Sequence, residues 1–273
     1  MHTGQIVVDN KEVYYRYIGD SKSSNKILLL HGWNQVGSQS WEPLLSMFEK
    51  KDVFLVAPDM PAFGKTIEPD NIWGVDEYAA FLEVFLNRVG TEDASWSLIG
   101  HSFGGAVVSQ IAADLGAKKI SKLVLVAPAI VRESVKSQSL KNKEKVGKIG
   151  KKLLLKLKLN FLYEAIRKLW SKIIGSADYY HTTGIKSQIM AKVVRQDKQD
   201  ILEKIKAPVK LIWGTEDELT PIWNAQKILT KLPDATLIKL NGVNHGVHLN
   251  AKERLFEEID NFLLQPDEVQ NKS

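Results

Sequence analysis

Short apolar runs alternate with amphipathic stretches along most of the 273-residue chain. Apolar runs without polar alternation are typical of strands that are buried on both faces of a sheet. Six such runs follow one another: KILLLHG, VFLVAPD, WSLIG, KLVLVAP, VKLIWG and ATLIKLNG. Because helical patterns separate these runs, they predict a mostly parallel sheet that is covered by helices on both faces.

The stretches between the runs predict five helices, since their apolar residues recur at the three- and four-residue spacing of one helix face. The predicted helices are Trp41 to Lys50, Val75 to Val89, Gly104 to Leu115, Trp223 to Leu232 and Lys252 to Leu264. Two strand patterns, GQIVVD and KEVYYRYIG, come first in the chain and are joined at Asp9 and Asn10, whose short side chains tolerate a tight turn. They predict an antiparallel hairpin and bring the predicted sheet to eight strands.

The strand pattern stops between KLVLVAP and VKLIWG for roughly eighty residues, which is too long for a structureless loop in a compact domain. We therefore predict an α/β core formed by residues 1–131 and 207–273, interrupted by a separate helical insertion at residues 132–206. The length of the chain agrees with one large domain that carries an insertion.

Charge also separates the insertion from the core. Residues 132–206 hold 19 Lys and Arg against 7 Asp and Glu, whereas the remainder holds 18 against 25. The stretch KIGKKLLLKLKLNFLYEAIRKLW places apolar residues along one helical face and lysines elsewhere. One interpretation is a lid that buries its apolar face and solvates its lysines. The other is that this basic amphipathic segment makes a weak peripheral contact with an anionic membrane surface or recruits acidic substrates.

Several classes of function lack a signal in the sequence. The chain has no cysteine, which excludes disulfides, thiolate metal sites and a cysteine nucleophile. No histidine pair has zinc spacing and no phosphate-binding glycine loop occurs, so we expect neither a metal nor a cofactor. The net charge of +5 comes with no nucleic-acid recognition motif, so we expect no nucleic-acid partner. Without a secretory-signal pattern or an apolar stretch of membrane-spanning length, a cytoplasmic location is expected.

One serine lies between two glycines where a strand pattern becomes a helix pattern. In WSLIGHSFGGAV, Gly100, Ser102 and Gly104 form a G-x-S-x-G arrangement. Such a turn is so sharp that the serine adopts strained dihedral angles, and the glycines leave room for neighbouring segments. The hydroxyl would stand above the carboxyl end of the sheet, at a helix N-terminus that stabilises negative charge. This is the position of an acyl-transfer nucleophile.

An acid and a base follow the serine on two consecutive strand-end loops. TEDELTP follows VKLIWG and contains Asp217, and VNHGVHL follows ATLIKLNG and contains His245. The order Ser102, Asp217, His245 is the order that a nucleophile elbow of this type requires. His245 would take the serine proton, and Asp217 would orient the imidazole and stabilise its cation. The two glutamates that flank Asp217 are competing acids, and His248 is a competing base.

Five motifs in this order resemble those of the α/β-hydrolase superfamily, and the resemblance covers nearly all of the chain except the basic insertion. They are LLLHGW (28–33), PDMPAFGKT (58–66), GHSFGG (100–105), WGTEDELTP (213–221) and GVNHGVHL (242–249). The resemblance implies an eight-stranded α/β-hydrolase sheet, with the insertion as a helical cap over the active site. It also implies that the backbone N–H groups of Trp33 and Phe103 form an oxyanion hole.

The resemblance also indicates where a substrate would bind. Many relatives carry glycines where this chain has Asn34 and Gln35, so these two polar side chains are candidates for the acyl side of the pocket. Within the cap, four further residues are candidates for the pocket lining: Tyr163, Trp170, Tyr180 and His181. Aromatic side chains that face inward would favour an apolar substrate of small to medium size.

These features predict a serine hydrolase that cleaves a small-molecule carboxylic ester through an acyl-enzyme. Cofactor-free perhydrolases, acyltransferases and carbon–carbon bond hydrolases keep the same triad, and they remain alternatives. Small-molecule receptors of this fold, which turn substrate over slowly or not at all, also retain the triad and remain an alternative. The natural substrate and the oligomeric state have no signal in the sequence.

Overall fold

The computed structural model of the chain describes residues 1–91, 94–132, 184–232 and 234–265. Eight strands form one sheet. They are β1 (His2–Val8), β2 (Lys11–Ile18), β3 (Lys26–Leu30), β4 (Phe54–Pro58), β5 (Trp96–His101), β6 (Ile120–Val126), β7 (Val209–Gly214) and β8 (Thr236–Leu240). All six apolar runs of the sequence are strands, and the prediction of an eight-stranded sheet is confirmed.

The sheet is antiparallel at one edge and parallel elsewhere. Its strand order is β1-β2-β4-β3-β5-β6-β7-β8. The pairs β1–β2 and β2–β4 are antiparallel, and the other neighbouring pairs are parallel. Asp9 and Asn10 form the predicted turn between β1 and β2 in left-handed backbone conformations, with φ of +45° and +61°. The parallel strands bring the loops after β3, β5, β7 and β8 to one edge of the sheet.

Helices separate the parallel strands, as the sequence predicts. The described α-helices are α1 (Glu42–Leu45), α2 (Val75–Val89), α3 (Phe103–Leu115), α4 (Gly184–Val193), α5 (Trp223–Lys231), α6 (Val247–Asn250) and α7 (Lys252–Leu263). Four of the five predicted helices agree with α2, α3, α5 and α7 to within one residue at each end. The helix predicted over residues 41–50 is instead a short α1 between two 3-10 helices, Gly37–Trp41 and Ser46–Phe48. Pro43, which has no N–H, stands at the start of α1.

Two apolar clusters cover the two faces of the sheet. Along β3, Leu28 and Leu30 belong to one cluster, whereas Ile27 and Leu29 belong to the other. Residues of α2 and α3 complete the first cluster, and residues of α1 and α7 complete the second. Because both faces are buried, every position of this strand is apolar except its first, which explains the continuous apolar runs of the sequence.

The described residues belong to one compact unit, which comprises Met1–Arg132 and Gly184–Ser273. Residues 133–183 of the predicted insertion lie outside the described residues, so the helical cap stays a prediction. The described remainder of that insertion contains α4 and a 3-10 helix, Gln199–Lys204, and its Gln196 side chain accepts the N–H of Val75 at the start of α2. In the part of the chain that the structure describes, no helix has the length and apolar character that a membrane crossing needs.

Glu83 on α2 gives the stability of the fold a testable dependence on pH. Burial and the neighbouring Asp114 on α3 raise the pKa of the Glu83 carboxyl from its ordinary 4.5 to about 7. Because the folded-state pKa is the higher one, the contribution of Glu83 to stability is full below the unfolded pKa and is lost as pH rises toward 7. We expect Glu83→Gln to raise the thermal midpoint at pH 8 and to leave it unchanged at pH 4, as measured by circular dichroism.

Glu77 on the same helix serves as a matched control, because its pKa is shifted in the opposite direction from that of Glu83. Burial opposes its ionisation, but hydrogen bonds from Lys192 and from the Gly74 N–H outweigh burial and hold the pKa of Glu77 below its ordinary value. Glu77→Gln is therefore expected to lower the thermal midpoint at pH 8. A Glu83→Gln effect of equal size at both pH values would contradict the raised pKa.

Candidate active site

Ser102 occupies the turn between β5 and α3 in a strained backbone conformation. Its φ of +52° and ψ of −115° lie in a region that residues with a side chain rarely adopt. The Ser102 N–H donates to the Val126 carbonyl at 3.0 Å, and the Ser102 carbonyl accepts the Ala129 N–H at 2.9 Å. Hydrogen bonds to the end of β6 and to the segment after it therefore hold the sharp strand-to-helix turn that the G-x-S-x-G spacing predicts.

The glycines around the serine lie where neighbouring segments leave no room for a side chain. A Cβ atom on Gly100 would lie 2.5 Å from the Gly104 carbonyl oxygen, and one on Gly104 would lie 2.5 Å from the His31 carbonyl oxygen. A Cβ atom on Gly105 would lie 2.7 Å from the Pro128 side chain. All three separations are below 3.0 Å, which is closer than real Cβ atoms approach other atoms. The glycines thus allow α3 to pass directly against the ends of β3 and β5.

Asp217 is buried in the loop after β7, and four donors satisfy its carboxylate. Its Oδ1 accepts the N–H groups of Leu219 at 2.9 Å and Thr220 at 2.8 Å. Its Oδ2 accepts the Thr220 hydroxyl at 2.9 Å and lies 2.7 Å from His245 Nδ1. The two flanking glutamates are exposed. The structure therefore favours Asp217 over its neighbours as the acid that faces His245.

The contact with Asp217 fixes the proton on one nitrogen of His245. Because a carboxylate accepts, Nδ1 carries the proton and Nε2 keeps the lone pair that a general base needs. The His245 carbonyl accepts a hydrogen bond from His101 Nε2 at 2.9 Å, and His101 directly precedes Ser102. Among the described residues, no hydrogen bond joins the Ser102 hydroxyl to His245. Catalytic hydrogen bonds of this kind often shorten only when substrate binds.

Burial disfavours the protonated form of the other histidines at this edge. Burial lowers the pKa of His248, the competing base, to about 4, and its Nδ1 has no hydrogen-bond partner among the described residues. His31 Nε2 accepts the Met60 N–H at 3.1 Å, so its Nδ1 carries the proton and donates to the Gly32 carbonyl at 2.7 Å. Burial lowers the pKa of His31 to about 4. Within the described ranges, no three His, Asp or Glu side chains are grouped to hold a metal ion.

The N–H groups of Trp33 and Phe103 lie on the two segments that adjoin Ser102. Phe103 directly follows Ser102 and begins α3, so its N–H has no acceptor within the helix. Trp33 follows Gly32, on which a Cβ atom would lie only 3.2 Å from Ser102 Cβ. The side chains of Trp33 and Phe103 also contact each other, with ring centroids 5.7 Å apart. Neither N–H has a hydrogen-bond acceptor in the described part of the chain, as the donors of an oxyanion hole require.

The structure places the Asn34 side chain in its own loop. The amide nitrogen lies 3.3 Å from the carbonyl oxygens of both Gly32 and Gly37, and Oδ1 accepts the Gly37 N–H at 2.5 Å. The Asn34 amide is therefore engaged in hydrogen bonds within its own loop. This does not support the prediction that the Asn34 side chain lines the acyl side of the pocket. Gln35 is exposed. The four pocket candidates of the predicted cap lie outside the described residues: Tyr163, Trp170, Tyr180 and His181.

Two residues near the site have no part in the sequence-based prediction. The Thr220 hydroxyl lies 3.2 Å from His245 Nδ1 in addition to its bond with Asp217. A threonine three residues after an acid in a turn is a recognisable signal, because it closes such turns by hydrogen bonding. Lys186 on α4 donates to the Asn34 carbonyl at 3.3 Å. It lies among many lysines in the insertion, where no motif distinguishes it.

Comparison with known proteins shows the family to which this fold belongs. The family model for the alpha/beta hydrolase fold matches residues 25–252 of the chain. A non-heme haloperoxidase of Rhodococcus erythropolis is 25% identical over 260 residues, which cover 88% of this chain and 91% of the relative. A monoacylglycerol lipase of Xenopus laevis is 25% identical over 278 residues, which cover 93% of this chain and 80% of the relative. The crystal structure of a bromoperoxidase from Bacillus anthracis has a TM-score of 0.72 at 19% identity, covering 97% of this chain and 100% of that chain.

The family model spans most of the chain, from the residue before β3 to the start of α7. It therefore includes the turn that holds Ser102 and the loops that hold Asp217 and His245. The chain belongs to the alpha/beta hydrolase fold family.

Proposed function

We propose that this alpha/beta hydrolase cleaves small-molecule carboxylic esters through an acyl-enzyme formed on Ser102. The observation that carries the proposal is the 2.7 Å contact between Asp217 and His245 at the same sheet edge as the strained Ser102 turn. A nucleophile, an oriented base and an acid on three separate loops are the parts that acyl transfer requires.

The first half of the reaction transfers the acyl group to the enzyme. His245 Nε2 takes the hydroxyl proton of Ser102 while Oγ attacks the ester carbonyl carbon. The oxygen that becomes negative accepts hydrogen bonds from the N–H groups of Trp33 and Phe103, and the partial positive charge at the N-terminus of α3 adds to this stabilisation. When the intermediate collapses, His245 gives the proton to the departing alkoxide, and the alcohol leaves.

The second half returns the enzyme to its starting state. A water molecule gives a proton to His245 Nε2 and attacks the acyl carbon. The new oxyanion uses the same two N–H donors, and its collapse releases the carboxylic acid while Ser102 Oγ regains the proton. Asp217 stays ionised throughout, because its four donors stabilise the carboxylate and its contact stabilises the imidazolium.

A perhydrolase is the second candidate, because a bifunctional esterase/perhydrolase of Acinetobacter calcoaceticus is 21% identical to this chain over 284 residues, which cover 93% of this chain and 97% of the relative. If hydrogen peroxide replaces water as the attacking group, the same acyl-enzyme yields a peracid and free Ser102. The similarity to a monoacylglycerol lipase instead favours an ester substrate. Measuring peracid and carboxylic acid from one acyl donor, with and without peroxide, separates the two functions.

Ser102→Ala is expected to abolish hydrolysis of p-nitrophenyl butyrate. Loss of the nucleophile of a serine triad lowers kcat by about a millionfold, which takes the activity to background. A fluorophosphonate is expected to label the wild-type protein, with the adduct located on Ser102 by mass spectrometry. Equal turnover in the variant, or an adduct on another residue, would contradict the proposal. Tight ligand binding by a wild-type protein that neither hydrolyses esters nor reacts would favour a receptor.

Variants at Asp217 and Thr220 test the acid and its support. Asp217→Asn removes the negative charge and is expected to lower kcat on the order of 10⁴-fold. Thr220→Val removes a hydroxyl that donates to the Asp217 carboxylate, and we expect kcat to fall about tenfold, the scale of one hydrogen bond to a charged group. Both values come from steady-state hydrolysis of the same ester.

Matched controls accompany these two variants. Glu216→Gln changes an exposed acid directly beside Asp217 and is expected to leave kcat unchanged. Thr220→Ser keeps the hydroxyl and is expected to retain most of the activity. A loss in Glu216→Gln as large as that in Asp217→Asn would show that the acid has been assigned to the wrong residue.

A further inference from the structure

The Trp33 N–H belongs to the same peptide unit as the Gly32 carbonyl. Because a peptide unit is planar and trans, contacts that orient the carbonyl also orient the N–H, which points the opposite way. Two side chains contact the Gly32 carbonyl oxygen: His31 Nδ1 at 2.7 Å and Asn34 Nδ2 at 3.3 Å. The direction of one donor of the proposed oxyanion hole therefore depends on these contacts.

Asn34 is held through both its side chain and its backbone. Its amide bonds to Gly37, as described above, and its Nδ2 also lies 3.3 Å from the Ser40 hydroxyl. Its backbone carbonyl accepts a hydrogen bond from Lys186 Nζ at 3.3 Å. Lys186 lies on α4, 152 positions away in the sequence, so it connects the loop after β3 to a distant helix of the same compact unit.

The Lys186 ammonium also lies over two aromatic rings. Its Nζ is 4.2 Å from the ring centroid of Phe63 and 5.9 Å from that of Trp33, within the range of cation–π attraction. The rings of Trp33 and Phe63 contact each other edge to face, with centroids 4.9 Å apart. The Lys186 ammonium therefore contacts Asn34 and Trp33 in the loop after β3 and Phe63 in the loop after β4.

We propose that Lys186 is a positioning residue of the oxyanion hole, which directs the Trp33 N–H toward Ser102 by holding Asn34 and the Trp33 ring. The proposal rests on the hydrolase function proposed above. In this role Lys186 acts through Asn34 and Trp33 rather than through the reacting atoms. Such positioning affects catalysis more than substrate binding, because the oxyanion charge develops only in the transition state.

Lys186→Met tests the proposal, because it keeps the length of the side chain and removes the charge, the hydrogen bond to the Asn34 carbonyl and the cation–π contacts with Phe63 and Trp33. Loss of a whole oxyanion donor lowers kcat about 10²- to 10³-fold, so partial misplacement is expected to lower kcat for p-nitrophenyl butyrate about tenfold. KM is expected to change less than about twofold. The affinity for an alkylboronic acid, which forms a tetrahedral adduct with the serine, is expected to fall by the same factor as kcat/KM.

Two further variants serve as controls. Lys192 lies on the same helix, but its Nζ bonds to Glu77 at 2.6 Å and to the Ile72 carbonyl at 3.2 Å, both at or just before the start of α2. Lys192→Met is expected to leave kcat, KM and boronic-acid affinity unchanged. Lys186→Arg keeps the charge and the donors and is expected to retain most of kcat.

Three kinetic results would overturn the proposal. The first is an unchanged kcat in Lys186→Met. The second is a rise in KM without a fall in kcat, which would make Lys186 a substrate-binding residue. The third is an equal loss in Lys192→Met, which would indicate a general destabilisation of α4.

Amide hydrogen exchange separates failure of this proposal from failure of the hydrolase function, because it needs no turnover. In Lys186→Met, the segment 32–37 is expected to exchange roughly threefold faster or more than in the wild type and in Lys192→Met. If the wild type neither cleaves esters nor reacts with a fluorophosphonate, the hydrolase function fails, whereas faster exchange would still support the role of Lys186 in holding this loop. Unchanged exchange in Lys186→Met would overturn that role.

Discussion

The close passage of α3 across the ends of β3 and β5 is the constraint on which the candidate site depends. There is no space for a side chain at Gly100 or Gly104, so the chain turns from strand to helix at a single residue, Ser102. Strain of this kind costs about 1–3 kcal/mol at one residue, and the apolar clusters on both faces of the sheet offset it. The same passage brings the loop after β3 beside the start of α3, so donors from two distant segments adjoin one hydroxyl.

The second constraint is the burial of a charged group at the sheet edge. An isolated carboxylate would be strongly destabilised at the position of Asp217, which is 5% exposed. Four donors, two from the backbone and one each from Thr220 and His245, compensate for the lost water. Because both carboxylate oxygens are occupied, the side chain has one orientation, and the imidazole that contacts it takes its own orientation from it.

Most of the fold could be predicted from the sequence because strands and long helices leave a periodic apolar pattern. One exception is the segment around α1, where a four-residue α-helix between two short 3-10 helices replaces the regular helix that was predicted. The contact of Asp217 with His245 was also predictable, since loops after neighbouring parallel strands meet at one edge. The orientation of the Asn34 side chain could not be predicted, because it depends on the local conformation of Gly37, whose φ is +60°. The contact of Lys186 with this loop could not be predicted either, because it depends on the tertiary packing of α4.

The close grouping of three tilted imidazole rings has a consequence for the path of the proton in the proposed reaction. The His101 ring lies 4.7 Å from the His245 ring and 4.6 Å from the His248 ring, measured between centroids. Burial lowers the pKa of His101 well below its ordinary value and that of His248 to about 4. Burial therefore disfavours a proton on either His101 or His248, although both rings belong to the same group as His245. In the proposed reaction, a proton that His245 takes from Ser102 therefore stays on the His245 ring until it passes to the leaving group or returns to the serine.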